Sequence, residues 1–230
     1  MRVFVIKRED RGMRVGLFGG TFNPIHLGHL RGAEEIRETF DLEKIVFIPA
    51  AIPPHKGMGG MMDASHRLEM VRLAVSTNPY FSVSDIELER SGKSYSIDTI
   101  RHFREIHQGP LFFILGRDAF LEIETWKEFK TLFSLCHFIV MARPGSQEKG
   151  HGSALPGGLT PYFKYHPAAE AWVHASGNNL SLKEITFLDI SSTKVRLLME
   201  RGESIRYLIP TEVEAYIREK GLYQGDRQMK

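Results

Sequence analysis

The segment Val15 to Gly20 is an apolar run that closes on glycines, and apolar residues then recur at Leu30, Ala33, Ile36 and Phe40. A short buried run followed by a helical period reads as strand, tight loop, helix. This unit constrains the fold more than any other feature, because strands linked through helices pair in parallel and need both sheet faces covered. The alternation repeats. Ile45 to Ile48 reads as a strand, Pro49 to Met62 as a Pro-rich loop, and Ala64 to Ser76 as a helix with Asp63 as its N-cap. Extended residues Phe81 to Leu88, a helix from Ser96 to Ile106, a strand from Leu111 to Leu115, an amphipathic stretch around Lys127 to Phe133 and a strand from Phe138 to Ala142 follow. The expected class is α/β, with a parallel sheet covered on both faces.

Arg143 to Pro161 is rich in Gly, Pro and Ser, and a loop or insertion is expected over about 144–180. The pattern resumes with a strand from Ile185 to Asp189 and a helix from Ser191 to Arg201, closed by Gly202 at C′. A last helix opens on Thr211-x-x-Glu214, which reads as a capping box, and stops at Gly221. The expected organisation is one domain over 13–223, a tail at 224–230 and an extension at 1–12, for which Met13 is an alternative start. The sequence is compatible with a monomer or a homo-oligomer.

With 230 residues, 42% of them apolar and 25% charged, the chain is composed like a globular protein that needs no disulfide or metal staple. Lys plus Arg exceed Asp plus Glu by only 30 to 28. That surplus cannot drive nonspecific binding to nucleic acid or to an anionic membrane, so any anion must meet a local site. Cys136 is the single cysteine and lies in an apolar stretch, as expected of a small buried side chain. No apolar run approaches a membrane span, and no secretory h-region opens the chain, so a cytoplasmic location is expected.

The densest chemical signal is Gly19-Gly20-Thr21-Phe22-Asn23-Pro24-Ile25-His26-Leu27-Gly28-His29, where the first strand turns into the first helix. Glycines at such a turn let backbone N–H groups approach a phosphate, and the helix start behind them favours negative charge. The spacing is neither GxGxxG nor GxxxxGK[ST], which disfavours hydride transfer and an ordinary P-loop. His26 and His29, three apart, share one helix face. A single histidine there is commonly a cap or a solvated side chain, but the pair after a Gly-Gly turn points to an anion whose developing charge imidazolium groups would stabilise. A metal is disfavoured, because no Asp, Glu or Cys nearby in sequence adds a third ligand.

A second strand-to-helix junction carries Ile190-Ser191-Ser192-Thr193-Lys194-Val195-Arg196. Alone it fits an N-cap followed by a surface arginine. Paired with the first motif, its hydroxyls, amides and guanidinium make a two-sided polyphosphate cradle.

The HxGH motif with a C-terminal SxTxxR motif resembles the nucleotidyltransferase superfamily, whose fold is a Rossmann-like doubly wound parallel sheet with C-terminal helices. Within it, GLFGGTFNPIHLGH, IPAAIPPHK, SYSIDTI, ILGRDAF, TWKEF, MARPG, DISSTKVR and YLIPTEVEAYIREKGLY together resemble the bacterial nicotinate-nucleotide adenylyltransferase family. The resemblance implies adenylyl transfer from ATP to nicotinate mononucleotide, with Mg²⁺ accompanying ATP. It implies catalytic roles for His26, His29 and Arg196. It assigns Gly19, Gly20, Thr21, Phe22, Lys56, Gly116, Asp118, Ile190, Ser192 and Thr193 to ATP. Ala50, Ser96, Trp126, Lys127 and Arg143 fall to the pyridine nucleotide, with Trp126 stacking on the ring. Outside the resemblance, Trp126 reads as a core or interface aromatic and Arg143 as a surface charge. Two positions depart from the family pattern, Ala50 where Asn is frequent and Lys127 where an aromatic is frequent. The alternatives are another HxGH enzyme, such as phosphopantetheine adenylyltransferase, and a nucleotide-sensing module without catalysis. Trp126 and the Pro53-Pro54-His55-Lys56 segment argue against the first, and retention of both histidines and Arg196 against the second.

Overall fold

The computed structural model describes residues 12–54, 61–142 and 155–224. Their strands are β1 Val15–Gly20, β2 Lys44–Pro49, β3 Phe81–Val83, β4 Leu111–Gly116, β5 His137–Ala142, β6 Phe163–His166, β7 Ala171–His174 and β8 Asn179–Glu184. The α-helices are α1 Leu27–Thr39, α2 Ala64–Val75, α3 Ile86–Glu89, α4 Ser96–Ile106, α5 Arg117–Leu121, α6 Phe129–Leu135, α7 Ser192–Glu200 and α8 Thr211–Glu219. These strands form one sheet in the order β3-β2-β1-β4-β5-β8-β7-β6. Pairing is parallel from β3 through to β8, and β7 and β6 extend that edge antiparallel. The winding reverses between β1 and β4, which opens a crevice at their carboxyl ends.

Successive β1 residues point to opposite faces. Phe18 packs with Phe47 and Ile114 beneath α1, α2, α7 and α8, through Ile36, Met70, Val195 and Val213 among others. Leu17 packs with Phe113 and Leu115 beneath α4, α5 and α6, through Ile100, Phe120 and Phe133. A strand buried on both faces has no polar side to show, which is why β1 and β4 are continuous apolar runs.

Several local expectations change. The segment 81–88 is a strand only to Val83, and Ile86–Glu89 form a helical turn. The expected strand Ile185 to Asp189 is replaced by β8, which ends at Glu184 where its partner β5 ends at Ala142. Ile185 N–H makes a last bond to Ala142 O at 3.2 Å, and residues 186–190 are not part of a strand. Much of the expected loop over 144–180 is regular, because Phe163–His166, Ala171–His174 and β8 form the antiparallel edge. Asp63 holds the N-cap position of α2 without a side-chain capping bond. The Thr211 capping box does not form, since Pro210 takes the N-cap position and Glu214 instead accepts from Arg218 Nη2 at 2.8 Å. Gly202 is C′ of α7 as expected, with φ +71°. Its N–H reaches Met199 O and that of Glu203 reaches Leu198 O, satisfying carbonyls at the helix end.

Candidate active site

At the carboxyl end of β1 the chain turns through Gly19, Gly20 and Thr21 into α1. A Cβ on Gly20 would lie 2.7 Å from the Phe22 ring, so glycine is required for that ring to fold beneath the turn. Phe22, at φ +46° and 3% exposed, packs on Phe18 and meets His29 edge-on at 5.2 Å. The ring is therefore core and supports His29, so the contact with ATP expected of Phe22 would fall to its backbone.

His26 is the N-cap of α1 and His29 its third residue. Nδ1 of His29 accepts the His26 backbone N–H at 3.2 Å, while the His29 N–H is spent on the His26 carbonyl at 3.0 Å. The rings stack with centroids 3.6 Å apart. An accepting Nδ1 carries no proton, so in neutral His29 the proton sits on Nε2. His26 is 7% exposed, and its buried Nδ1 has no hydrogen-bond partner among the described residues. Burial pushes its imidazole down to about 4. The expected imidazolium at position 26 is thus corrected to a neutral ring at pH 7, able to donate one hydrogen bond but carrying no charge. A Cβ on Gly28 would lie 3.0 Å from His26 Nδ1, so the glycine of HxGH makes room for this ring.

The second motif docks on the first. Ser191 caps α7 by accepting the Lys194 N–H at 3.1 Å, Ser192 Oγ donates to Pro24 O at 2.8 Å, and Arg196 Nη1 donates to Asn23 O at 2.8 Å. Arg196 Nη2 also reaches Thr193 Oγ1 at 3.4 Å. The Ser192 hydroxyl, expected on a phosphate, is given to backbone here and joins the two turns. Ile190 packs from the side against the core beneath α1.

On the other side of the Gly19–Thr21 turn lies a cavity of ≈ 250 Å³ at the crevice between β1 and β4. Gly19, Gly20, Thr21, Ala50, Ser96, Gly116, Trp126 and Lys127, all singled out from sequence, line it together. Trp126 stands edge-on to Phe113 at 6.2 Å. Lys127 does not bring a spare charge: its Nζ lies 3.1 Å from Asp98 Oδ2 and 4.8 Å from the Tyr95 ring centre. Asp118 is exposed on α5 and is not part of the cavity wall. Lys56 and Arg143 lie outside the described residues.

Sequence reasoning missed three residues whose partners are distant in the chain. Arg67, 1% exposed, donates to Met62 O at 2.8 Å, Thr21 O at 2.8 Å and Ala51 O at 3.0 Å, pinning the glycine turn to the β2 loop. Asn23 Oδ1 accepts the Tyr223 hydroxyl at 2.6 Å and the Met62 N–H at 3.3 Å. Glu87, 7% exposed, belongs to the cavity wall. Arg67 and Glu87 carry no local motif, and Asn23, although inside the histidine motif, shows its role only through Tyr223 and Met62.

Residues 17–198 match the cytidylyltransferase-like family. A probable nicotinate-nucleotide adenylyltransferase of Citrifermentans bemidjiense is 50% identical over 216 residues, 94% of this chain and 100% of the relative. One from Geotalea daltonii is 47% identical with the same coverage. The chain belongs to the nicotinate-nucleotide adenylyltransferase family. Its fold is shared by Plasmodium falciparum nicotinic acid mononucleotide adenylyltransferase complexed with NaAD, with TM-score 0.67 and 20% identity over 92% of this chain and 97% of that one.

Two expected results follow for this adenylyltransferase family member. If Arg196 grips a polyphosphate while it donates to Asn23 O, Arg196→Lys should retain no more than about a tenth of kcat/KM, nearly as poor as Arg196→Ala, because one ammonium cannot replace a planar fork that makes both contacts. The ATP KM should rise more than that of the second substrate, and activity largely restored by Lys would reduce Arg196 to a point charge. Stability should also fall as pH drops from about 6.5 toward 4. His26 and His137, both pushed by burial from the ordinary 6.5 down to about 4 in the folded protein, are protonated first in the unfolded chain. Their stabilisation is complete above pH 6.5, and each loses about 1.4 kcal/mol per pH unit through that window. Urea titrations at pH 7, 6 and 5 measure this, and equal free energies at all three would contradict it.

Proposed function

We propose that the protein transfers the adenylyl group of ATP to nicotinate mononucleotide, forming nicotinate adenine dinucleotide and pyrophosphate. The observation that carries the reading is one turn, Gly19–Thr21, shared by two compartments. On one side is a Trp126-lined cavity sized for a pyridine ring, and on the other the stacked histidines with Arg196.

In this reading a 5′-phosphate oxygen of the mononucleotide attacks the α-phosphorus of ATP in line, and the bond from that phosphorus to the bridging oxygen of the β-phosphate breaks. The attacking group is already an anion at neutral pH, so no protein nucleophile is needed and catalysis is positioning plus charge stabilisation. His29 Nε2–H and neutral His26 donate to the α-phosphoryl oxygens. Arg196 and the amides of Ser192 and Thr193 hold the leaving pyrophosphate. Among the described residues no group of three or more His, Cys, Asp or Glu side chains is placed to hold a metal. Mg²⁺ would arrive with ATP and would supply shielding of the phosphate charge.

The test is pyrophosphate release from ATP with nicotinate mononucleotide, nicotinamide mononucleotide or phosphopantetheine as acceptor. Release fastest with the first supports the proposal. Release fastest with phosphopantetheine, or with none, overturns it.

A further inference from the structure

Glu87 is a carboxyl in the wall of the cavity, 7% exposed, and its surroundings define what it does. Thr99 Oγ1, in the first turn of α4 and 1% exposed, donates to Glu87 Oε1 at 2.6 Å, and Arg90 Nη2 lies 3.2 Å from that hydroxyl. Ser94 stands beside Glu87 in the cavity wall, and its hydroxyl favours the ionised form of the same carboxyl. Ser94 Oγ also accepts the N–H groups of Ala51 at 2.9 Å and Ile52 at 3.2 Å, and its own N–H bonds Ile52 O. Both lone pairs of Ser94 Oγ are thus occupied, so toward Glu87 the hydroxyl can act only as a donor. Burial pushes the Glu87 carboxyl up, while the two hydroxyls and the Arg90 charge hold the ionised form. A buried carboxyl that accepts from Thr99 is tied to α4 and is not a space-filler.

These bonds join the two walls of the cavity. Ala51 and Ile52 continue the β2 loop that supplies Ala50, Pro53 and Pro54, whereas Thr99 belongs to the turn that starts with Ser96 and Ile97. We propose that Glu87 is a positioning residue that fixes the start of α4 against the β2 loop and thereby sets the discrimination between nicotinate and nicotinamide mononucleotides. The inference rests on the pyridine-nucleotide reading of this cavity.

Glu87→Gln keeps the volume but turns one acceptor into a donor. Ser94 cannot accept from it, so one wall must shift. At pH 8 the variant should show kcat/KM for nicotinate mononucleotide reduced about tenfold and the nicotinate-to-nicotinamide ratio reduced by a similar factor, as expected where buried donors lose their acceptor. The ATP KM should stay within about twofold, since no bond of Glu87 reaches the histidine side of the turn. Thr99→Val, isosteric without the hydroxyl, should reproduce the loss, and Thr99→Ser should restore wild-type selectivity. The Thr99 pair carries the test if Glu87→Gln does not fold. A ratio unchanged in folded Glu87→Gln or Thr99→Val, or an ATP KM that rises with the other, overturns the role of Glu87. Wild-type protein inactive with nicotinate mononucleotide overturns the underlying reading instead.

Discussion

His29→Ala is expected to lower kcat by on the order of 10² to 10³ with a smaller change in KM, the pattern for a donor that acts mainly in the transition state. The reasoning starts from a single bond. Because His29 Nδ1 accepts the His26 N–H at 3.2 Å, the proton is fixed on Nε2, and the ring is braced by Phe22 and the His26 stack. A donor held before the substrate arrives needs no reorganisation when charge builds on the α-phosphoryl oxygens. The same bond satisfies an N–H at the start of α1, so alanine also costs about 1 kcal/mol of stability. His29→Asn separates the two roles: its amide oxygen can take the place of Nδ1, but nothing replaces Nε2–H. Both variants should lose turnover alike, with thermal stability better kept in Asn. Near-wild-type turnover in either folded variant would remove His29 from the chemistry.

A preference for nicotinate over nicotinamide mononucleotide of about 10² or more in kcat/KM is the second large effect. A carboxylate only accepts hydrogen bonds, whereas the amide also presents NH₂ donors. The cavity receives the start of α4, where Ser96 and Ile97 are first-turn residues whose N–H groups have no partner within the helix. An amide can turn its oxygen to one such donor but leaves the other facing NH₂. Lys127 contributes little to this preference, since Asp98 already balances its charge. Steady-state kinetics with saturating Mg-ATP measure the ratio, and a value within about threefold would contradict the nicotinate assignment while leaving adenylyl transfer standing.

What was legible in the sequence was local. The β1 run, the glycine turn and the histidine pair lie within fifteen consecutive residues, so spacing alone placed them. Ser191 and Gly202 announce the ends of α7 for the same reason. Edge strands were harder to see: Phe163, Tyr165, Trp172 and Leu180 mark them, but they follow a Gly-, Pro- and Ser-rich stretch, and their pairing is with each other and with β5. The apolar run Ile185 to Leu188 looks more like a strand than β8 does, yet β8 is defined by what lies beside it. The capping signature at Thr211 met a proline one residue earlier, while the cap that forms at α1 is built from two histidines and carries no Ser/Thr…Glu signature. Arg67 and Glu87 were invisible because Thr21, 46 positions away, and Thr99, 12 away, give them their meaning.

The most direct test of adenylyl transfer uses ATP labelled at the α-phosphorus with nicotinate mononucleotide as acceptor. In-line attack at that atom predicts label in the dinucleotide, one equivalent of unlabelled pyrophosphate, and no labelled AMP. Label recovered as AMP without dinucleotide, or a β- or γ-phosphate carried into the product, would contradict it.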